Sequence, residues 1–142
     1  MVEKTRFRSH EIWREPDTGF IHLVHVGEID DGDAKLFLDA FARYRNEGDE
    51  PDFVIADSRQ ALGYSSGARK VFAANRGGLR ENSYVAVFGM SFAPRAALNL
   101  LLKTLKVVSP VTLNVHMVAD EAEARAWLTE KKRTRLARTA KA

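Results

Sequence analysis

The chain has 142 residues, 45% hydrophobic and 29% charged, which suits one globular domain with room for a core. With no cysteine, disulfides, thiolate catalysis and cysteine metal sites are excluded, and the four histidines are scattered. No basic-plus-apolar leader opens the sequence and no apolar run approaches a membrane span, so a cytoplasmic location is expected. The net charge of +3 is unevenly placed, because Lys131 to Ala142 holds six of the 22 basic residues and none of the 19 acids. The rest of the chain is therefore mildly acidic. We divide it into a single α/β domain over residues 1–130 and a basic C-terminal tail over 131–142. Such a tail is a solvated extension able to contact anionic surfaces through charge alone, without specific nucleic-acid recognition.

Phe7 to Trp13 reads as a weak strand. The turn chemistry of Glu15-Pro16-Asp17-Thr18-Gly19 joins it to a second strand, Phe20 to Val26, in an opening hairpin. His22 and His25 stand three apart on that strand and point to opposite faces, so they cannot share a metal. After the polar break Gly27 to Asp33, Asp33 is placed to cap a helix from Ala34 to Arg45, on which Phe37, Ala40, Phe41 and Tyr44 share one face. Gly48 is expected to end it. Phe53-Val54-Ile55-Ala56 is a short buried strand closing at Asp57. A loop from Ser58 to Tyr64 then leads to Ser65, Ser66 and Gly67 at the start of a helix bearing Ala68, Val71 and Phe72, with serine as N-cap. Gly77 and Gly78 are expected to close that helix.

Ser83 to Met90 is the next strand, and Ser91 opens a third helix with Pro94 in its first turn. Leu98, Leu101, Leu102, Leu105 and Val108 form its inward face, with Leu100 and Val107 well round the cylinder. A stripe this wide suggests burial on more than one side, by a partner, a ligand or a lipid surface, or else a helix packed deeply in its own domain. Pro110 breaks the helix and Thr112 to Val118 is the last strand. Asp120 caps a final helix with Glu123 completing a capping box and Ala124, Trp127 and Leu128 inward. The order β-β-α-β-α-β-α-β-α defines an α/β fold with one mixed, mostly parallel sheet of about five strands, an N-terminal hairpin and about four helices.

Open α/β sheets place their sites at the carboxyl ends of parallel strands. The candidates there are Asp30 and Asp31, Asp57 and Ser58, Ser91 with Arg95, and His116. Gly89-Met90-Ser91-Phe92-Ala93 departs from the nucleophile elbow at its last position, leaving a small serine hydrolase with Asp57 and His116 as a remote alternative. A receiver-type phosphoacceptor is disfavoured, since the acidic pair and the lone aspartate follow consecutive strands. Phosphate-binding glycine loops are absent, and no cofactor, metal or catalytic set is assigned.

The segment Leu62-Gly63-Tyr64-Ser65-Ser66-Gly67 resembles the D-S-S-G motif of STAS domains of the SpoIIAA-like (anti-sigma-factor-antagonist) type, in which a core strand leads to serines at a helix N-terminus. Ser65, Ser66 and Gly67 match the motif, and Tyr64 stands in place of the acid. The closing segment Asp120 to Ala124 with Trp127 and Leu128 is similar to that of SpoIIAA-like bacterial proteins, compared in fold with lipid-carrying SEC14-type domains. The resemblance implies a non-enzymatic regulatory domain that binds a protein partner or a second copy through Asp57, Tyr64, Ser65, Ser66, Gly67 and Arg69. It also implies a phosphorylation switch at Ser65 or Ser66. A carrier or sensor of an apolar small molecule or lipid, held between the sheet and the helix Ser91 to Val108, is the alternative.

Overall fold

A computed structural model describes residues 4–45, 50–75, 78–80, 82–108 and 113–141, with side chains described except at 105–108 and 139–141. Its elements in order are β1 (Thr5–Phe7), β2 (His10–Arg14), β3 (Ile21–Ile29), α1 (Asp31–Tyr44), β4 (Phe53–Tyr64), α2 (Ser66–Ala74), β5 (Ser83–Phe88), α3 (Phe92–Val108), β6 (Leu113–Val118) and α4 (Glu121–Lys141). The strands form one six-stranded sheet in the order of the chain. The expected first strand is two strands, because Arg8 takes a positive φ of 56° and folds the chain back so that Phe7 pairs with His10. β1, β2 and β3 are antiparallel, and β3 to β6 are parallel.

Sequential parallel strands stepping in one direction, joined by right-handed crossovers, place all their helices on one face. The packing follows that rule. Phe37, Ala40 and Phe41 of α1, Ala68 and Phe72 of α2, and Leu98 and Leu101 of α3 pack on one side against Leu23, Val54, Ala56 and Val87. On the other side Ala124 and Leu128 of α4 meet Phe20, Phe53, Ile55 and Phe88.

Two boundaries differ from the sequence expectation in ways that shape the site. The strand expected to stop at Asp57 continues for twelve residues to Tyr64. β5 follows it only as far as the Asp57–Phe88 pair, while β3 pairs with it up to Ile29–Tyr64. Two register shifts, between Val24 and Val26 and between Gly27 and Glu28, each set an extra β4 residue against β3. Each extra residue resets the alternation, so Ala56, Ser58, Ala61 and Tyr64 all belong to the α1–α3 face. The second correction is at α1, whose N-cap is Asp30 and not Asp33. Asp30 accepts from the Asp33 amide at 2.8 Å, and the Asp33 carboxylate accepts from the Asp30 amide at 3.0 Å, a reciprocal capping box. α1 ends at the cap Arg45, with Gly48 outside the described residues. α2 ends at Ala74, capped by Asn75, earlier than the glycine pair of which Gly77 is outside the described residues. Pro110 and Thr112 also lie outside them, as do the side chains of Leu105, Val107 and Val108.

At the final helix the expected box is displaced by one residue: Asp120 accepts from the Glu123 amide at 2.9 Å, but Glu123 reaches the Ala119 amide. The basic segment after residue 130 continues α4 as far as Lys141. Lys132 donates to the Thr18 carbonyl, tying the segment to the β2–β3 turn. Higher on the same helix, Arg125 clamps Glu15 through two bonds, the longer 2.9 Å, and His22 and Thr18 share that carboxylate. The Arg125 bonds are the main cause holding Glu15 down at about 2, against the opposing effect of burial. No described helix is long and apolar enough to cross a membrane.

Candidate functional site

A hollow lies between the sheet, from β3 to β6, and the helices of the α1–α3 face, and Ser58 and Tyr64 bring the β4 extension to it. Its volume is about 110 Å³, and its walls are Leu23, Ala56 and Val87 from the sheet with Phe37, Phe72 and Leu98 from the helices. Half-buried Leu102, Leu113 and Val115 stand at one side, while Ser58 and His25 are buried in the wall. Among the described residues, none that lines the hollow carries a carboxylate, ammonium or guanidinium.

Ser58 is 0% exposed and His25 4% exposed. Among the described residues, Ser58 Oγ and His25 Nε2 are the two buried side-chain polar atoms without a hydrogen-bond partner, and both residues line this hollow. They are neighbours across the β3–β4 ladder, because Val24 pairs with Asp57 and Val26 with Gln60, leaving His25 opposite Ser58 and Arg59 at the bulge. The ring of His25 meets Tyr64 edge-on at 5.9 Å and Phe37 at 6.3 Å. Burial among these rings disfavours the imidazolium and lowers the His25 pKa to about 4, so the side chain is neutral at physiological pH. Burial likewise raises the pKa of the Tyr64 phenol above its ordinary value.

The other buried histidine on this side is fully used. His10 Nδ1 accepts from the Val26 amide at 3.1 Å, which leaves the proton on Nε2, 3.3 Å from Asp33 Oδ1. Arg8 bridges Asp30 and Asp33 at 3.0 Å each, closing a network that fixes the start of α1.

Tyr64 links the hollow to the surface. The next residue, Ser65, caps α2 by accepting from the Ala68 amide at 3.0 Å, and its own amide donates to the Ile29 carbonyl at 2.8 Å. Ser66 is exposed at the first helical position, and the Arg69 guanidinium turns back to the Tyr64 carbonyl at 2.9 Å. Gly67 lies so near Asp31 that an added Cβ would stand 3.1 Å from the Asp31 Cβ. The β4–α2 corner and the start of α1 therefore touch, and Asp31 brings to α2 an acid that Tyr64 does not supply. Leu62, at 71% exposure, adds an apolar group just before the corner.

Asp57 does not join this corner. It follows Phe53 and Ile55 on the α4 face, where Arg59 grips it through Nε at 3.0 Å and NH2 at 2.7 Å. Burial acts to raise its pKa, but the Arg59 bonds outweigh it and the net direction is down. Arg59 in turn fills the space over Gly89, whose φ is +75° and where a Cβ would stand 2.3 Å from the Arg59 Cγ. Ser91 is exposed ahead of α3, its carbonyl accepting from the Arg95 amide at 3.1 Å while the Arg95 guanidinium reaches the Met90 carbonyl at 3.0 Å. His116 stacks on Trp127 of α4 with ring centres 5.0 Å apart. No hydrogen bond joins Ser91, Asp57 and His116 among the described residues. No group of three or more potential metal ligands occurs among them either.

Ser58 was recognisable in the sequence as a polar residue after an apolar strand. His25 was not, since its partnership with Ser58 exists only in the bulged register of two strands. The one available signal is its alternation with Leu23 on the buried face.

A sheet of this order with three helices on one face and one on the other matches a SpoIIAA-like fold. The chain is similar over 90% of its length to a crystal structure of an uncharacterized protein from the DUF3478 family with a SpoIIAA-like fold, from Shewanella loihica PV-4. The TM-score is 0.51, the identity 13%, and 92% of that chain is covered. At that identity the likeness concerns the fold. No protein family matches the sequence, and no curated protein does.

Proposed function

We propose that the chain is a non-enzymatic, cytoplasmic interaction domain that reports the presence of a small apolar molecule to a protein partner. The molecule occupies the hollow beneath β4, and the partner docks on the corner formed by Tyr64, Ser65, Ser66, Gly67 and Arg69. The observation that carries this reading is the position of Tyr64. Its ring lines the hollow, and the chain turns immediately after it into the exposed corner. A ligand that displaces Tyr64 or Phe72 must shift the start of α2, since both side chains pack on each other at 6.4 Å.

The same corner supports a serine switch, with the two serines in different roles. Ser65 spends its hydroxyl on the cap, while Ser66 is exposed, so Ser66 is the modifiable one. A phosphate there gains from the free amides of α2 and from Arg69, yet it faces Asp31 across Gly67. Modification would therefore loosen the contact between α1 and α2 while adding charge to the docking face.

Titration of benzene into isotopically labelled protein, followed by amide chemical shifts, tests the proposal. Shifts are expected at Leu98 and Leu101 and onward at Ser65 to Ala68. No shift at the hollow with benzene, nor with its hydroxylated analogue phenol, would refute ligand sensing, and shifts confined to the hollow would refute communication with the docking corner.

A further inference from the structure

Apart from the Tyr64 phenol, the described walls of the hollow are apolar except at one place, and that place is unusual. Buried polar groups in proteins are almost always paired, because an unpaired one forfeits its hydration and recovers nothing. Two such groups, on residues of adjacent strands that both line the same hollow, are candidates for a bipartite hydrogen-bonding site at a bulge. The Ser58 hydroxyl both donates and accepts. Nε2 of a neutral imidazole does one or the other according to its tautomer.

We propose that Ser58 Oγ and His25 Nε2 bind the polar head of the ligand, and that the ligand is a small neutral molecule carrying one hydroxyl or carbonyl group on an apolar body. This rests on the hollow being the ligand site argued above and specifies what enters it. Three observations set the class. With no cationic or anionic side chain among the described lining residues, a carboxylate or ammonium would be buried without a counter-charge from them. The polar pair is buried whereas Leu102, Leu113 and Val115 are half-exposed, so the head goes in first and the apolar body lies toward α3 and β6. The volume of about 110 Å³ is somewhat below that of cavities known to take a benzene ring, which limits the enclosed part to a single ring or a short branched chain. A two-chain lipid does not fit.

The neutral state of His25 agrees with this class, because an uncharged head needs no ionised partner. Tyr64 and Phe37 flank the imidazole, so a ligand that engages Nε2 also fixes the ring against the residue that leads into the Ser65 corner.

Matched probes of nearly equal size separate the two claims. Phenol, benzene and benzoate are titrated at pH 7.5 into the full chain and followed by amide shifts at Leu98, Leu101 and Tyr64. Phenol is expected to bind about tenfold more tightly than benzene, as one or two hydrogen bonds to otherwise unpaired groups should give, and benzoate is expected not to bind. In Ser58→Ala the preference for phenol is expected to collapse toward unity, and His25→Leu should act in the same direction as an independent check. Equal affinity for phenol and benzene in the wild type would overturn the polar-head assignment while leaving the hollow as a ligand site. So would a preference that survives Ser58→Ala, or tight binding of benzoate. Failure of both benzene and phenol to bind would overturn the site itself, and the assignment with it.

Discussion

Two serines among the described residues are fully buried, and they should respond to alanine in opposite directions. Ser83 Oγ accepts from the Asp52 amide at 2.8 Å and donates to the Arg80 carbonyl at 2.5 Å, whereas Ser58 Oγ has no partner. Removing a buried hydroxyl that makes hydrogen bonds strands its partners and costs about 1–2 kcal/mol. Removing one that makes none relieves an uncompensated desolvation of similar size, so Ser58→Ala should stabilise the ligand-free protein by about 1–2 kcal/mol. For a 142-residue domain the unfolding entropy near the transition is about 0.3 kcal/mol/K. The expected change in Tm is thus a rise of about 3–7 °C for Ser58→Ala and a fall of about the same size for Ser83→Ala. Calorimetry on both variants and the wild type, each stripped of small molecules, measures it, and urea midpoints provide a second reading. A Tm for Ser58→Ala equal to or below that of wild type would show that the hydroxyl is satisfied in the native state. That would remove the reason for assigning it to a ligand. A rise accompanied by lost phenol affinity is the pattern of a residue kept for binding at the expense of stability.

The remaining expectations concern titration and capping. Because the His25 pKa is lowered to about 4 by burial, the unfolded chain takes up its proton first as pH falls. Stability should therefore drop from pH 6.5 toward pH 4, by about 2 kcal/mol already at pH 5, and urea titrations of wild type against His25→Leu should show the slope reduced in the variant. Glu15, held at about 2, acts lower on the scale: its contribution is present above its ordinary range near 4.5 and is lost as pH falls toward 2. Arg125→Ala should flatten the acid-unfolding profile in that window, measured by circular dichroism. Ser65→Ala should cost about 1 kcal/mol as a lost N-cap, while Ser66→Ala should change stability by less than about 0.5 kcal/mol, which chemical denaturation of the two variants resolves.

The order of elements was legible because its signals are local. The β-branched runs at Phe53–Ala56 and Tyr84–Phe88, the spacing of Phe37, Ala40 and Phe41, and serine or aspartate before helices each report a short stretch of chain. A serine of the Ser65–Ser66 pair was expected as the cap, and Ser65 is that cap. What escaped was decided by neighbours distant in sequence. Ser58-Arg59-Gln60 looks like the end of a strand, yet β3 continues alongside and bulges return Ala61 and Tyr64 to the inner face. Asp33 was read as the cap of α1 from its place before the apolar stripe. In the fold Asp30 fills that role, and Asp33 reaches back to it while holding Arg8 and His10. Asp57 was grouped with the serine corner by sequence proximity. Strand alternation sends it to the opposite face, into the grip of Arg59.

The hollow illustrates the same limit. The broad stripe of α3 suggested burial on more than one side, but Leu98 and Leu101 wall the hollow from the inward face while Leu100, round the cylinder, is 51% exposed. Its polar end could not be read, since a histidine and a serine separated by most of α1 and half of β4 meet only through strand register.

A crystal structure of the full chain with phenol tests the central claim most directly. The expected result places the phenol oxygen within hydrogen-bond distance of both Ser58 Oγ and His25 Nε2, with the ring directed toward Leu98 and Leu102. Phenol bound with its oxygen toward the mouth of the hollow, or ordered water filling the Ser58–His25 end while the ring sits elsewhere, would contradict it.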